Sequence, residues 1–211
     1  GIGPIQRFDP TGFPVRFAAE VPLISKNSAD LKHQLCQIAL EEALSQSGLS
    51  GGPRVGVCLG SEAARPPLEW LLHPELATPE AIANLAPDAP TRQAATFSGA
   101  TGPRSTVSTA CTSSSQALGE AMLRIRRGEV DAMISGGVDV LSEPLMVVGF
   151  SKLGALSTRN DDPAGASRPF DRNRDGFVLG EGSGILILES EEHAHGRGAT
   201  ILARLSGWGC S

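Results

Sequence analysis

Tyrosine is absent from this 211-residue chain, and aromatic residues make up only 4% of it. A surface that stacks nucleic-acid bases needs aromatic platforms, so that class of partner is disfavoured. The formal charge of −5 does not suggest a nucleic-acid binder either. No apolar run approaches the roughly 18 residues needed to span a bilayer. No signal-peptide pattern is present, so no membrane role is expected. Cys36, Cys58, Cys111 and Cys210 show no Cys-x-x-Cys spacing. They read as reduced thiols of a cytoplasmic protein rather than a disulfide frame. The chain lacks an initiator methionine and opens on Gly1-Ile2-Gly3-Pro4, as a fragment would. Glycine and proline, by contrast, are plentiful at 25 and 15 residues. They predict many turns and close backbone approaches in a chain long enough for a substantial core of one or two domains.

The most informative stretch is Val107-Ser108-Thr109-Ala110-Cys111-Thr112-Ser113-Ser114-Ser115. A β-friendly run, Ser105 to Thr109, leads to the cysteine, and a helical pattern follows it. Leu118, Met122 and Ile125 recur on one helical face. Thr112 to Ser115 are expected to cap the helix start, because their oxygens accept first-turn N–H groups. Arg124, Arg126 and Arg127 suit the last turn, with Gly128 as the residue just past it. Cys111 is thereby placed on a strand-to-helix turn at the positive end of a helix. That environment favours the thiolate, the form that acts as nucleophile. Backbone N–H groups of the same turn suit an oxyanion. The competing reading is a buried structural cysteine.

The remaining pattern is α/β. Residues 1–27 are loop-like, with a short strand over Arg16 to Val21. Ser28 is expected to cap a helix whose apolar stripe is Leu31, Leu35, Ile38 and Ala39 and which Gly48 ends. Arg54 to Leu59 reads as a buried strand. Residues 61–104 read as irregular, with short helical turns near Leu68 to Leu72 and Pro79 to Leu85. Such a long excursion is either functional or a plain surface segment. Val130 to Ser135 predicts a strand parallel to the one before Cys111, joined through its helix by a right-handed crossover. Leu145 to Phe150 suggests a helix, Phe177 to Leu179 and Gly184 to Glu189 paired strands, Glu191 to His195 a short helix and Ile201 to Leu205 a last strand.

Other constellations carry less. His33 and Cys36 are three apart on a helix, but two ligands do not make a metal site. Asp171-x-Asn173-x-Asp175-Gly176 begins like a calcium loop, yet its twelfth position is Gly182 and Arg172 and Arg174 sit among the ligands. Asx-turn chemistry accounts for the same residues. Gly180-x-Gly182-x-Gly184 precedes a strand rather than a helix, which disfavours a phosphate cradle. His193 and His195 point to different helical faces and read as solvated. No Asp, Glu or His sits in a motif that names it as base for Cys111.

Five stretches together resemble a known family. They are Thr109-Ala110-Cys111, Ser135-Gly136-Gly137, Phe150 to Ser157, Ser167-Arg168-Pro169-Phe170-Asp171, and Arg174 to Gly184 (Arg-Asp-Gly-Phe-Val-Leu-Gly-Glu-Gly-Ser-Gly). In this order they resemble the elongating β-ketoacyl-acyl-carrier-protein synthases and the ketosynthase domains of polyketide synthases. The likeness covers nearly the whole chain. It implies a thiolase-like α/β fold, a mixed sheet packed with helices within an αβαβα layered parent. It implies that Cys111 accepts an acyl group from a carrier protein's phosphopantetheine arm. A malonyl unit on a carrier then loses CO₂, and its carbanion attacks the acyl thioester. The Cys111 N–H would be one oxyanion donor. No metal or resident cofactor is implied. The partners implied are acyl carrier protein and a second copy, paired through the strand near Thr106 to Thr109.

The departures are equally specific. The family's opening strand and helix lie ahead of this segment. Its two catalytic histidines, in His-Gly-Thr-Gly-Thr and Asn-Ser-x-Gly-Phe-Gly-Gly contexts, have no counterpart; His33, His73, His193 and His195 match neither. Gly60-Ser61-Glu62-Ala63-Ala64 stands where relatives carry a glycine-rich turn near the acyl pocket, and Gly137-Val138-Asp139 replaces a commoner Gly-x-Glu. Residues 1–211 are therefore expected to be the N-terminal portion of a ketosynthase, competent to accept an acyl group but not to condense it. The rival readings are a polyketide ketosynthase domain, a non-catalytic subunit related to chain-length factors, and a thiol acyltransferase of another fold.

Overall fold

The computed structural model describes residues 1–22 and 28–209, apart from the side chains of Ser28 and Leu71. The cap expected from Ser28, the loop expected over residues 23–27 and the thiol of Cys210 lie outside the described residues. In chain order the elements are β1 (Gly3–Pro4), β2 (Phe17–Ala18), α1 (Ser28–Ser47), β3 (Val55–Gly60), α2 (Pro79–Leu85) and α3 (Ala89–Ser98). They continue with β4 (Arg104–Val107), α4 (Ser113–Arg126), β5 (Ala132–Val140), α5 (Pro144–Lys152), β6 (Glu181–Glu189) and α6 (Glu191–Gly196). The chain divides into two compact units, Gly1–Leu31 with Asp139–Gly182, and Lys32–Val138 with Ser183–Ser211.

The larger unit is built on a sheet of order β4-β3-β5-β6. β3 is buried along its whole length, as a strand must be when both faces are covered. It pairs in parallel with β4 (Val57 opposite Arg104) and with β5 (Val55 opposite Ala132). β6 returns antiparallel along β5. The Ser190 N–H donates to Asp131 O at 2.9 Å, and Gly184 lies against Gly136 further along. β4, α4 and β5 do follow one another with parallel strands, as the sequence predicts. The crossover, however, passes over β3, which lies between them.

Of the expected Leu118–Met122–Ile125 stripe, α4 buries Met122 and packs Ile125 against the core of this sheet. Ala117 and Ala121 are fully buried, with Cys58, Val130 and Met133 as their core partners. Alanine lets the helix approach the sheet closely, and Ile125 only packs at the edge of that cluster. α1 keeps only part of its expected face. It buries Leu31, Leu35, Cys36, Leu40 and Ala43, while Ile38 is 51% exposed. Gly48 ends α1 at φ 63 and Gly128 follows α4 at φ 69, both in the left-handed conformation expected of helix stops.

α3 was not foreseen. Its buried side chains are Ala89, Pro90, Thr91, Ala94 and Ala95, too small or polar to print an apolar stripe. Pro90 sits in the first turn, where a missing N–H costs nothing. The strand expected over Ile201 to Leu205 does not form; residues 201–209 are exposed coil. Gly119 on α4 leaves the space that the Trp208 ring occupies in that segment.

The smaller unit holds Ile5, Val15, Phe17, Val147, Leu156 and Leu179 in its own core. Phe177 to Leu179 does not pair with Gly184 to Glu189. Phe177 instead bridges Leu156 in parallel, and Gly180 bridges Ala19. Gly176, at φ 149, makes this threading possible, because a Cβ there would collide with the Leu156–Ser157 backbone. The anchor of the unit is Glu181, whose side chain is fully buried. It accepts hydrogen bonds from Arg7 Nε at 2.7 Å and Arg7 Nη2 at 2.5 Å, from the Val21 N–H at 3.0 Å and from the Ser142 hydroxyl. Burial pushes this carboxyl up, but the Arg7, Ser142 and Val21 hydrogen bonds outweigh it and hold it below its ordinary value.

Glu181 thus stabilises the fold above the unfolded carboxyl value of about 4.3. That contribution is lost as pH falls through the lower folded value. Glu181→Gln is expected to cost about 3–5 kcal/mol at neutral pH, because it removes the bidentate carboxylate partner of a buried guanidinium. Urea unfolding at pH 7 and pH 4 should show the two proteins converging on the acid side.

Candidate functional site at Cys111

β3 ends on Gly60, which lies opposite Gly137 within β5, and α4 begins directly on these two glycines. A Cβ on Gly60 would fall inside the backbone of Ser113 and Ser114. One on Gly137 would lie 2.8 Å from Ser114 Cβ. Sequence pattern marks these glycines only as strand ends; their role is to let a helix start touch the sheet.

β4 stops at Val107, short of the Thr109 limit expected, and the chain then turns sharply. Thr109 is at φ −135 and ψ 40, and Ala110 is left-handed at φ 52. A non-glycine residue there costs about 1–2 kcal/mol, so neighbouring bonds must hold it. A 3₁₀ turn, Ala110–Thr112, carries Cys111, and α4 follows at Ser113. Cys111 is exposed, whereas Cys36 and Cys58 are buried. Burial pushes the Cys36 thiol up to about 11 and raises that of Cys58 as well.

The hydroxyl residues do not cap α4 in the expected way, since Thr112 makes no side-chain cap bond. They bind the turn ahead of the helix instead. Ser113 Oγ accepts the Thr109 N–H at 2.8 Å and donates to Ala110 O at 2.7 Å. Thr112 Oγ1 donates to Thr109 O at 2.9 Å. The first unforeseen residue is Glu62. Its carboxylate accepts the Ala110 N–H at 2.8 Å and the Ser108 hydroxyl at 2.8 Å, with Ser113 Oγ 3.3 Å away. Burial alone would raise this carboxyl, but those donors and the charge of Arg65 hold it below its ordinary value. Its sequence signal is a charged residue just past the carboxyl end of a buried strand, the edge where α/β sheets place their chemistry.

The other candidates do not join this site. The His33 carbonyl accepts from Gln93 on α3, and the Cys36 thiol faces Pro90 O. Asp171 Oδ1 accepts the Asn173 N–H at 2.6 Å, an Asx-turn, while Asp175 accepts the Ser157 hydroxyl at 2.9 Å. Among the described residues no His, Cys, Asp and Glu set could hold a metal ion. Gly182 and Gly184 lie within β6 and form no cradle. His193 and His195 pair with Glu189 and Glu191 on or beside α6.

The model of the β-ketoacyl synthase N-terminal domain matches residues 10–194. The chain belongs to the β-ketoacyl synthase family. This synthase chain is 38% identical, over its full length, to the 3-oxoacyl-[acyl-carrier-protein] synthase 2 of Coxiella burnetii and covers 56% of that relative. A β-ketoacyl synthase structure from Burkholderia phymatum matches 94% of it with a TM-score of 0.81 at 31% identity, covering 54% of that structure's chain. A type II polyketide ketosynthase, solved with its acyl carrier protein and bound to the hexaketide, matches 94% at TM-score 0.79 and 30% identity, with 53% of its own chain covered. The synthase chain described here thus spans about half the length of the curated relatives it matches. The likeness to these ketosynthases also carries the thiolase-like α/β fold expected from sequence.

Iodoacetamide at neutral pH is expected to alkylate Cys111 well ahead of Cys36 and Cys58, as read by peptide mass. Equal rates at the three sites would remove the case for an accessible thiol. Gly60→Ala should cost about 1–3 kcal/mol through overpacking against the start of α4. Urea unfolding would measure it.

Proposed function

We propose that the chain is the cysteine-bearing N-terminal portion of an elongating β-ketoacyl-acyl-carrier-protein synthase, with Cys111 as its acyl acceptor. The observation that carries this is the exposed Cys111 on a strained turn, at the carboxyl ends of parallel strands and the start of α4. The Cys111 sulfur attacks the carbonyl carbon of an acyl thioester, and the pantetheine thiol leaves with a proton. The Cys111 N–H is a donor for the oxyanion formed on the way. A malonyl thioester then loses CO₂, and its α-carbon bonds to the acyl carbonyl as the Cys111 thiolate departs. This chemistry requires neither a metal nor a resident cofactor; both substrates arrive on phosphopantetheine. The residues that assist decarboxylation belong to the histidine-bearing half of the full-length enzyme, outside residues 1–211.

Acyl carrier protein is the proposed partner, supported by the polyketide relative solved with its own carrier. A second copy is proposed to pair at β4, which is the edge of the described sheet and half-exposed. The proposed location is the cytoplasm, and among the described residues no helix is long and apolar enough to cross a membrane. The polyketide ketosynthase likeness favours a second substrate class, polyketide intermediates in place of fatty acyl chains. A non-catalytic role as a chain-length-factor relative is disfavoured by the retained Cys111.

A radiolabelled acyl-carrier assay tests the reading. The chain is expected to take label on Cys111, to lose it in Cys111→Ser, and to form no condensed product alone. Condensed product from this chain by itself, or label retained in Cys111→Ser, would overturn it.

A further inference from the structure

Building on Cys111 as the acyl acceptor, we infer that Glu62 is a positioning residue for that thiol, clamping the left-handed Ala110 that precedes it. Three features carry this. The first is the need. Ala110 is left-handed at φ 52, its N–H donates to a side chain, and its backbone angles set where the next residue, Cys111, points. Such a residue persists only when its surroundings over-determine it.

The second is the fit. Glu62 Oε1 accepts the Ala110 N–H, and Oε2 accepts the Ser108 hydroxyl, both at 2.8 Å. The two carboxylate oxygens therefore grip the chain on either side of Thr109. Ser113 completes the clasp by holding the Thr109 N–H and Ala110 O.

The third is the rooting of Glu62 itself. Lys32, only 4% exposed, donates from Nζ to the Glu62 carbonyl at 2.8 Å. Ser61 Oγ donates to the same carbonyl at 3.2 Å, and the Ser61 N–H is bonded to Val107 O at 3.0 Å. α1, the end of β3 and the end of β4 thus converge on one residue whose side chain faces the nucleophile turn. A surface carboxylate has no need of a buried lysine beneath its backbone.

The test compares Glu62→Ala with Glu62→Gln in the full-length protein. The amide oxygen of Gln still accepts from Ala110, whereas Ala removes the clasp. Acyl transfer from acyl carrier to Cys111 is expected to slow by about 10- to 100-fold in Glu62→Ala, the scale of a small misplacement of a reacting group. The loss should fall on the saturating rate and leave half-saturation unchanged, and Glu62→Gln should keep most of the rate. Hydrogen exchange at the Ala110 amide should be slow in the parent and Glu62→Gln and fast in Glu62→Ala. The proposal is overturned if Glu62→Ala transfers like the parent, if only half-saturation moves, if Glu62→Gln falls as far as Glu62→Ala, or if Ala110 exchanges rapidly in the parent. Failure of the parent to acylate Cys111 at all would instead sink the function proposed above, with the clasp still judged by exchange at Ala110.

Discussion

The contact of the start of α4 with the end of β3 and with Gly137 of β5 governs the larger unit. Gly60 and Gly137 provide no side chain, so Ser113 and Ser114 rest on strand backbone. Because that distance is short, the link from β4 to α4 has little room. It is forced into a tight turn, with Ala110 left-handed and Cys111 at its crest. The exposed sulfur is thus a consequence of close packing below it. A helix standing off from the sheet by one methyl group would leave a slack connection, and a slack connection does not fix a thiol.

Each unit also contains a carboxylate held by several donors. Glu181 takes a bidentate guanidinium, a hydroxyl and a backbone N–H. Glu62 takes a backbone N–H and a hydroxyl, with a second hydroxyl close by. In both, burial works against the charge and hydrogen bonding wins. Their tasks differ with their surroundings. Glu181 ties Arg7 and Val21 of one segment to Ser142 of another. Glu62 is applied to Ser108 and the left-handed Ala110, just ahead of the exposed Cys111.

Periodicity and punctuation were reliable where a signal is local. β3, α2, α5 and α6 lie within a residue or two of expectation, since buried strands and capped helices carry their own patterns. Faces were less legible. α1 buries Leu31 and Leu35 as expected but exposes Ile38, and α4 buries Met122 together with the small Ala117 and Ala121, because small residues that allow close approach carry no hydrophobic signal. α3 was invisible because alanine and threonine fill its buried face. Phe177 to Leu179 reads as a strand in isolation, but its hydrogen-bonding edges are taken by Leu156 and Ala19 regions rather than by β6.

For the candidate site, sequence alone marked the position: a thiol after a β-run and before a helix, within motifs that resemble those of the ketosynthases. That much is written in consecutive residues and needs no long-range contact. Only the tertiary structure decided what holds the turn ahead of that thiol. Glu62 is 48 residues from the Ala110 N–H that it grips and Lys32 is 30 residues from the Glu62 carbonyl it supports. No local pattern encodes such a meeting, because it comes about only when parallel strands bring their carboxyl ends to one edge.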